Sequence, residues 1–299
     1  MNPTSLVFTL LVVFQSGLVL TGGLVRLTKS GLGCPTWPEC TPGSYKPTAN
    51  QVEGQLHAWI EFGNRLLTFF LIASIIAAII LALRWGRSRS DKKILFALAL
   101  IQFLGIIAQI LIGGITVLTH LNPFAVALHF LLSIVLISAT LSLRQRMLNK
   151  PRAASSVFTP LIGKVLLLIG AVVVILGTGV TGTGPYAGDS QAKRFRIDWI
   201  LIAKAHALSV FLLIALVLFL IVKIRRYENQ DLDRIIPPKL YILLVAILAQ
   251  GVVGAIQYFN GLPQLVVAFH LLGSALVWLA LWNLIYTGQI FTSKRVSVK

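Results

Sequence analysis

Eight apolar runs, each about as long as a bilayer is thick, constrain this 299-residue chain more than any other feature. A hydrocarbon core of ~30 Å takes roughly 20 apolar residues in helical conformation. Such runs occur at about 5 to 27, 57 to 83, 94 to 118, 123 to 143, 161 to 182, 198 to 222, 240 to 259 and 263 to 287. Lipid offers no hydrogen bonds to a backbone, so each run must satisfy its own amides as a helix. The expectation is an all-α polytopic membrane protein of eight transmembrane helices. Composition agrees, because only 12% of residues are charged against 57% hydrophobic, too few to clothe a soluble globule of this size.

A formal charge of +17 suggests nucleic acid, but the placement of the bases argues for topology instead. Arg84, Arg87, Arg89, Lys92 and Lys93 lie between the second and third runs; Arg144, Arg146, Lys150, Arg152 and Lys164 between the fourth and fifth. Lys223, Arg225, Arg226, Arg234 and Lys239 follow the sixth, and Lys294, Arg295 and Lys299 end the chain. Eighteen of the 26 Lys and Arg thus share one side, which the positive-inside rule makes cytoplasmic, with both termini. The first run lacks a basic n-region and continues into Arg26, so it reads as a membrane helix rather than a cleaved signal. No transit peptide precedes it, and the expected location is a bacterial plasma membrane.

At an offset of 141 residues the two halves align Gln109 with Gln250, Gly113 with Gly254, Ile115 with Ile256, Val126 with Val267, Ala127 with Ala268, His129 with His270 and Ser133 with Ser274. The chain therefore reads as two pseudo-repeated four-helix bundles, 1–150 and 151–299, in the same orientation because each holds an even number of helices. A polar stretch around Asn149 to Ser156 links them.

Ionisable groups inside membrane helices are costly, so each is a functional hypothesis. His129 lies six residues past Pro123, His270 seven past Pro263 and His206 eight past Asp198. At ~1.5 Å per residue all three fall roughly 10 Å below the outer face. Two imidazoles at one depth on helices six and eight can clamp a haem iron from both sides, and His206 with His270 is the pair expected to do so. In the first half His129 matches His270, but Asn64 stands where His206 would, one residue out of register. His57, Glu61 and Asn64 form one stripe at spacings of four and three. One half reads as built to hold a cofactor symmetrically, the other to leave a porphyrin accessible beside an acid.

Arg26, Lys29, Arg65, Lys193, Arg194, Arg196 and Lys204 sit at the outer end, where they either pair with haem propionates or snorkel to lipid phosphates. Arg26 and Arg65, at or within apolar runs, are the better propionate candidates. Cys34 and Cys40 are the only cysteines and lie in an outer, oxidising loop, where a disulfide is favoured over two free thiols or a metal site.

At these residues the chain resembles the haem A synthase family, over nearly its whole length. The resemblance rests on Gly23 to Pro35 (GLVRLTKSGLGCP) with Trp37, Pro38 and Cys40; on Glu61 to Arg65; on Ala127 to Phe130; on Gly179 to Asp189 (GVTGTGPYAGD); and on His206 and His270. It implies haem b held in the second bundle by His206 and His270, and the substrate haem O in the first. There His129 would ligate iron, Glu61 would be the essential carboxylate, and Cys34 and Cys40 would form a disulfide. The implied reaction oxidises the C8 methyl of haem O to the formyl group of haem A. The implied partners are the haem O synthase, an electron acceptor and the lipid bilayer, with no nucleic acid.

One departure stands out, since the family pattern places His where this chain has Asn64. Either His129 alone holds the substrate iron, or His57 supplies the second ligand; Asn64 and His57 are both candidate substrate contacts. His120, in a short loop, reads as solvated. A b-type cytochrome that only relays electrons is the alternative function, against which the asymmetry of the halves and the Cys loop argue. A transporter would need polar residues near the midplane, and the helix centres read as almost uniformly aliphatic.

Overall fold

The computed structural model describes residues 3–49, 51, 54–152, 155, 157–227 and 235–288. Arg234, Lys294, Arg295, Lys299 and both chain termini lie outside the described residues. Among the described residues there are eight helices: α1 (Pro3–Leu27), α2 (Gln55–Gly86), α3 (Lys92–Leu118), α4 (Pro123–Met147), α5 (Pro160–Thr183), α6 (Trp199–Tyr227), α7 (Ile236–Phe259) and α8 (Gln264–Thr287). Each is long and apolar enough to cross a membrane, and the chain is a multi-pass membrane protein of all-α class. Their outward faces carry large apolar groups such as Phe69, Phe70, Phe211 and Phe259, which only lipid can solvate at low cost.

The helices overrun the apolar runs at several ends. α2 continues through Arg84 to Gly86, because a helix already hydrogen-bonded in lipid gains from extending into the interface while its bases reach water. The α3–α4 connection is short. His120 and Leu121 adopt left-handed backbone angles, and the Asn122 side chain accepts the Phe124 N–H while Pro123 takes the first helical position.

The described residues divide into two compact units. The first comprises residues 1–148 with 178–199; the second comprises 149–177 with 200–299. In the first unit α1 neighbours α2 and α4, and α3 neighbours α2 and α4, so the four helices close into a ring with α2 and α4 on one diagonal. Phe8, Leu11, Leu71, Ile75, Ala78, Ala82, Leu95 and Leu143 fill the end away from the cysteine loop. At that end Asp91 binds Arg89 at 2.9 Å and Arg146 at 3.4 Å, tying the α2–α3 turn to the end of α4.

Residues 178–199 close the opposite end of this unit. The Gly31 amide donates to the Gly188 carbonyl at 2.8 Å, and a Cβ on Gly31 would lie 2.9 Å from that oxygen, so the approach needs glycine. Phe195 meets Phe124 edge-on at 4.9 Å, and Leu121, Ala187 and Ala192 form a small core beneath. In the second unit α7 packs along α8, and the Lys239 ammonium donates to Asn283 Oδ1 at 3.1 Å.

Candidate functional site

In the second unit His206 of α6 and His270 of α8 face each other with ring centres 6.4 Å apart and planes at 79°. His206 Nδ1 lies 3.0 Å from the Val173 carbonyl of α5. A carbonyl only accepts, so Nδ1 carries the proton and Nε2 keeps its lone pair, the tautomer a metal ligand needs. Glycines make room for both rings. A Cβ on Gly177 would lie 3.1 Å from His206 Cε1, and one on Gly254 would lie 3.3 Å from His270 Cε1.

Metal–imidazole bonds of ~2 Å, with each ring centre ~1 Å behind its nitrogen, put two rings on opposite sides of one iron roughly 6 Å apart. The observed spacing fits that arrangement. Among the described residues no three His, Cys, Asp or Glu groups cluster as a self-contained metal site. A porphyrin supplies its own equatorial nitrogens and asks the protein only for axial ligands. His270 Nδ1 is buried without a hydrogen-bond partner, a cost the surrounding chain leaves uncompensated.

The first unit repeats part of this geometry. A Cβ on Gly113 would lie 3.3 Å from His129 Cε1, the same clearance as between Gly254 and His270, and His129 Nδ1 is likewise buried and unpartnered. Gln109 holds the α4 backbone here, donating from Nε2 to the His129 carbonyl at 3.2 Å and to Ser133 Oγ at 2.7 Å. On α2, Asn64 leaves its buried Oδ1 without a partner.

Glu61 is buried one turn before Asn64, and each of its carboxylate oxygens accepts one hydrogen bond. Oε2 accepts the Cys34 N–H at 2.7 Å, and Oε1 accepts from Arg65 Nη2 at 2.8 Å. The same guanidinium donates to the carbonyls of Cys34 (2.9 Å), Thr36 (3.2 Å) and Glu39 (3.1 Å). Cys34 and Cys40 form the expected disulfide and are fully buried. Cys34 is thus held at its amide by Glu61 and at its carbonyl by Arg65. Trp37 of the same loop packs on α3 where a Gly114 Cβ would meet its ring at 2.6 Å.

His57 sits one turn nearer the loop end. Its Nδ1 is 2.9 Å from the buried Ser30 hydroxyl, and Gly33 lies so close that a Cβ there would be 2.4 Å from the His57 carbonyl. Arg26, in the last turn of α1, donates from Nη2 to the Tyr186 carbonyl at 3.1 Å and leaves Nε buried without a partner. Arg194 donates to Pro185 O at 3.0 Å; Lys29, Lys193, Arg196 and Lys204 are exposed, and so is His120.

One feature corrects the reading of uniformly aliphatic helix centres. Gln15 of α1, Gln102 of α3 and Thr140 of α4 form a buried polar layer within the first unit. Thr140 Oγ1 donates to Gln15 Oε1, Gln15 Nε2 reaches Gln102 Oε1 at 3.5 Å, and Gln102 Nε2 donates to Leu136 O at 3.2 Å. Three isolated polar residues in separate apolar runs were the available signal. The grip of Arg65 and Glu61 on backbone groups of the cysteine loop left no side-chain pattern to find.

Fold and site together define a polytopic α-helical membrane protein with imidazoles presented inside its helical units and a disulfide loop anchored on a buried carboxylate. Residues 5–192 match the COX15-CtaA family, described as cytochrome oxidase assembly protein, and the chain belongs to that family. Similar curated proteins are named heme A synthase. That of Geobacillus thermodenitrificans is 30% identical over 148 residues, 48% of this chain and 44% of the relative. That of Geobacillus kaustophilus is 33% identical over 117 residues (39% and 34%), and one from Bacillus cereus 29% over 119 residues (40% and 35%). The aligned stretches span less than half the length of these relatives.

Proposed function

We propose that this chain is a haem A synthase, an oxidoreductase that converts the C8 methyl of haem O to the formyl group of haem A in a bacterial plasma membrane, with both termini cytoplasmic. The supporting observation is an asymmetry between the units. One offers two imidazoles spaced for a single iron; the other has His129 with a buried, unpartnered Nδ1 and His57 tied to Ser30, in a unit that also buries a carboxylate, Glu61. In this reading His206 and His270 hold haem b, His129 is the axial ligand of the substrate haem O, and Asn64 and His57 flank it from α2.

Bound haem would supply the redox chemistry: in two stages the methyl carbon would lose four electrons and four protons, the electrons passing to the acceptor, take up two water oxygens as a hydrate, and release one water to leave the formyl group. The chain's own groups do the rest. Glu61 is the catalytic residue, an anion kept in place by the Cys34 amide and Arg65, able to steady positive charge developing at the methyl carbon or to accept its proton. Arg65 holds the loop that carries Cys34 and Cys40 against that carboxylate. Arg26, with an unpartnered Nε, is the propionate contact. The haem O synthase and an electron acceptor are the partners in this reading.

The test is expression of the full chain with a haem O source, followed by chromatography and mass analysis of extracted haems. Alcohol and aldehyde derivatives of haem O are expected, lost in Glu61→Ala. Unchanged haem O beside an intact b-type spectrum would instead favour an electron carrier.

A further inference from the structure

We infer that the substrate haem of the first unit is held by His129 alone and presents an open iron face to the Asn64 amide, where a small exogenous ligand can bind. The inference rests on the proposed haem O site and adds the coordination state of its iron.

The two units of this chain differ on one side of the site. In the second, the α6–α8 pair is completed by His206, seated against Gly177 and oriented by the Val173 carbonyl. In the first, α4 repeats the α8 arrangement down to the glycine clearance of 3.3 Å, so the His129 side of the site is built alike. The α2 side is not. Taken one residue out of the 141 register, the residue in the His206 place is Asn64, whose amide is a poor iron ligand but a good hydrogen-bonding group.

Two further contacts align helices one and four of the units. Gln15 accepts a hydrogen bond from Thr140 in the first unit, and Gly170 packs on Leu281 in the second. Each pair joins helices one and four of its unit, offset by 155 and 141 residues. The same offset of 155 pairs Gly177 with Gly22. A Cβ on Gly177 would strike His206, whereas one on Gly22, or on Gly63 beside Asn64, would meet no atom within 4 Å. The notch that receives an imidazole in one unit therefore receives nothing from the chain in the other.

Nor does His57 supply the missing ring. It lies two turns from Asn64 toward the loop end, about 10 Å along the helix, and the bond to Ser30 of the α1–α2 connection holds its ring there. The Oδ1 of Asn64, by contrast, is buried and unpartnered, an atom that costs stability unless a ligand group meets it. An iron with one protein ligand is five-coordinate, and a ligand on its sixth position would lie where the Asn64 amide can hydrogen-bond to it.

The test uses the full chain purified after co-expression with a haem O source, with carbon monoxide as the probe. The expected result is a haem beyond that of the His206–His270 pair, high-spin by electron paramagnetic resonance, whose reduced form shifts its Soret band on adding carbon monoxide. Asn64→His should turn that fraction low-spin and remove its carbon monoxide response, while Asn64→Gln keeps both. A wild-type protein whose additional haem is low-spin and indifferent to carbon monoxide overturns the inference; recovery of high spin in His57→Ala would then name His57 as the ligand. If no additional haem is present, or its content is unaffected by His129→Ala, the haem O site itself is overturned.

Discussion

Replacing Gly177 by alanine tests the seating of His206 directly. The added Cβ would lie 3.1 Å from His206 Cε1 and 3.4 Å from Nδ1. Carbon atoms pack best at ~3.5–4.0 Å, so the ring must retreat by roughly 0.5 Å. The hydrogen bond from Nδ1 to Val173 O is now 3.0 Å, and a displacement of that size carries it to the edge of bonding. Two effects on stability oppose each other. Alanine in a helix interior gains ~1 kcal/mol over glycine, and overpacking of a fixed ring costs ~1–3 kcal/mol. The overpacking wins because the retreat of the ring also loosens its hydrogen bond to Val173 O. Gly251→Ala is the internal control, since no atom lies within 4 Å of a Cβ there and only the helical gain applies. Thermal melting in detergent and the haem absorption spectrum read the outcome. Gly177→Ala should melt lower and shift the low-spin bands; Gly251→Ala should melt slightly higher with the spectrum unchanged. If both variants behave like Gly251→Ala, His206 does not occupy this notch and its role as ligand fails with it.

Two other predictions concern the first unit. Arg65→Leu removes the partner of a buried Glu61 and frees three loop carbonyls, so it should destabilise by about 3–5 kcal/mol and leave Cys34 and Cys40 open to mild reductant and alkylation; alkylation as slow as in wild type would refute the brace. At the far end, burial raises the Asp91 carboxyl, but Arg89 and Arg146 outweigh it and hold the group below its ordinary value of 3.8. A depressed carboxylate stabilises fully above its unfolded value and ceases to as pH falls through the folded one. Stability followed by melting temperature should therefore fall more steeply below about pH 3.8 in wild type than in Asp91→Asn, the free-energy difference lying in the range of ~0.2–1 kcal/mol for so accessible a pair; equal slopes would refute it.

What the sequence made legible follows from how strongly lipid penalises an error. A helix that leaves a backbone amide unsatisfied in hydrocarbon is not tolerated, so eight apolar runs become eight helices with little freedom beyond their ends. An imidazole in such a run is equally conspicuous, and its depth can be counted from the nearest Pro or Asp, so His129, His206 and His270 are legible in the sequence alone. Glu61 and Arg65 were visible as charges, but the work of Arg65 was not. Its partners are carbonyls of Cys34, Thr36 and Glu39, groups every residue carries, and only the folded loop decides which of them an arginine meets. The return of residues 178–199 onto the first unit was hidden for the same reason, since its anchors are the Gly188 and Tyr186 carbonyls. The polar layer of Gln15, Gln102 and Thr140 escaped because each lies alone in its own run, and a single amide does little to lower the hydropathy of twenty residues. Its place in the fold nonetheless sharpens the asymmetry, for the position 141 residues after Thr140 is Leu281, packed dry against Gly170. The first unit buries Gln15, Gln102 and Glu61 in the bundle that carries His129, whereas the second pairs His206 with His270 and buries the amide oxygens of Gln250 and Gln257 without partners.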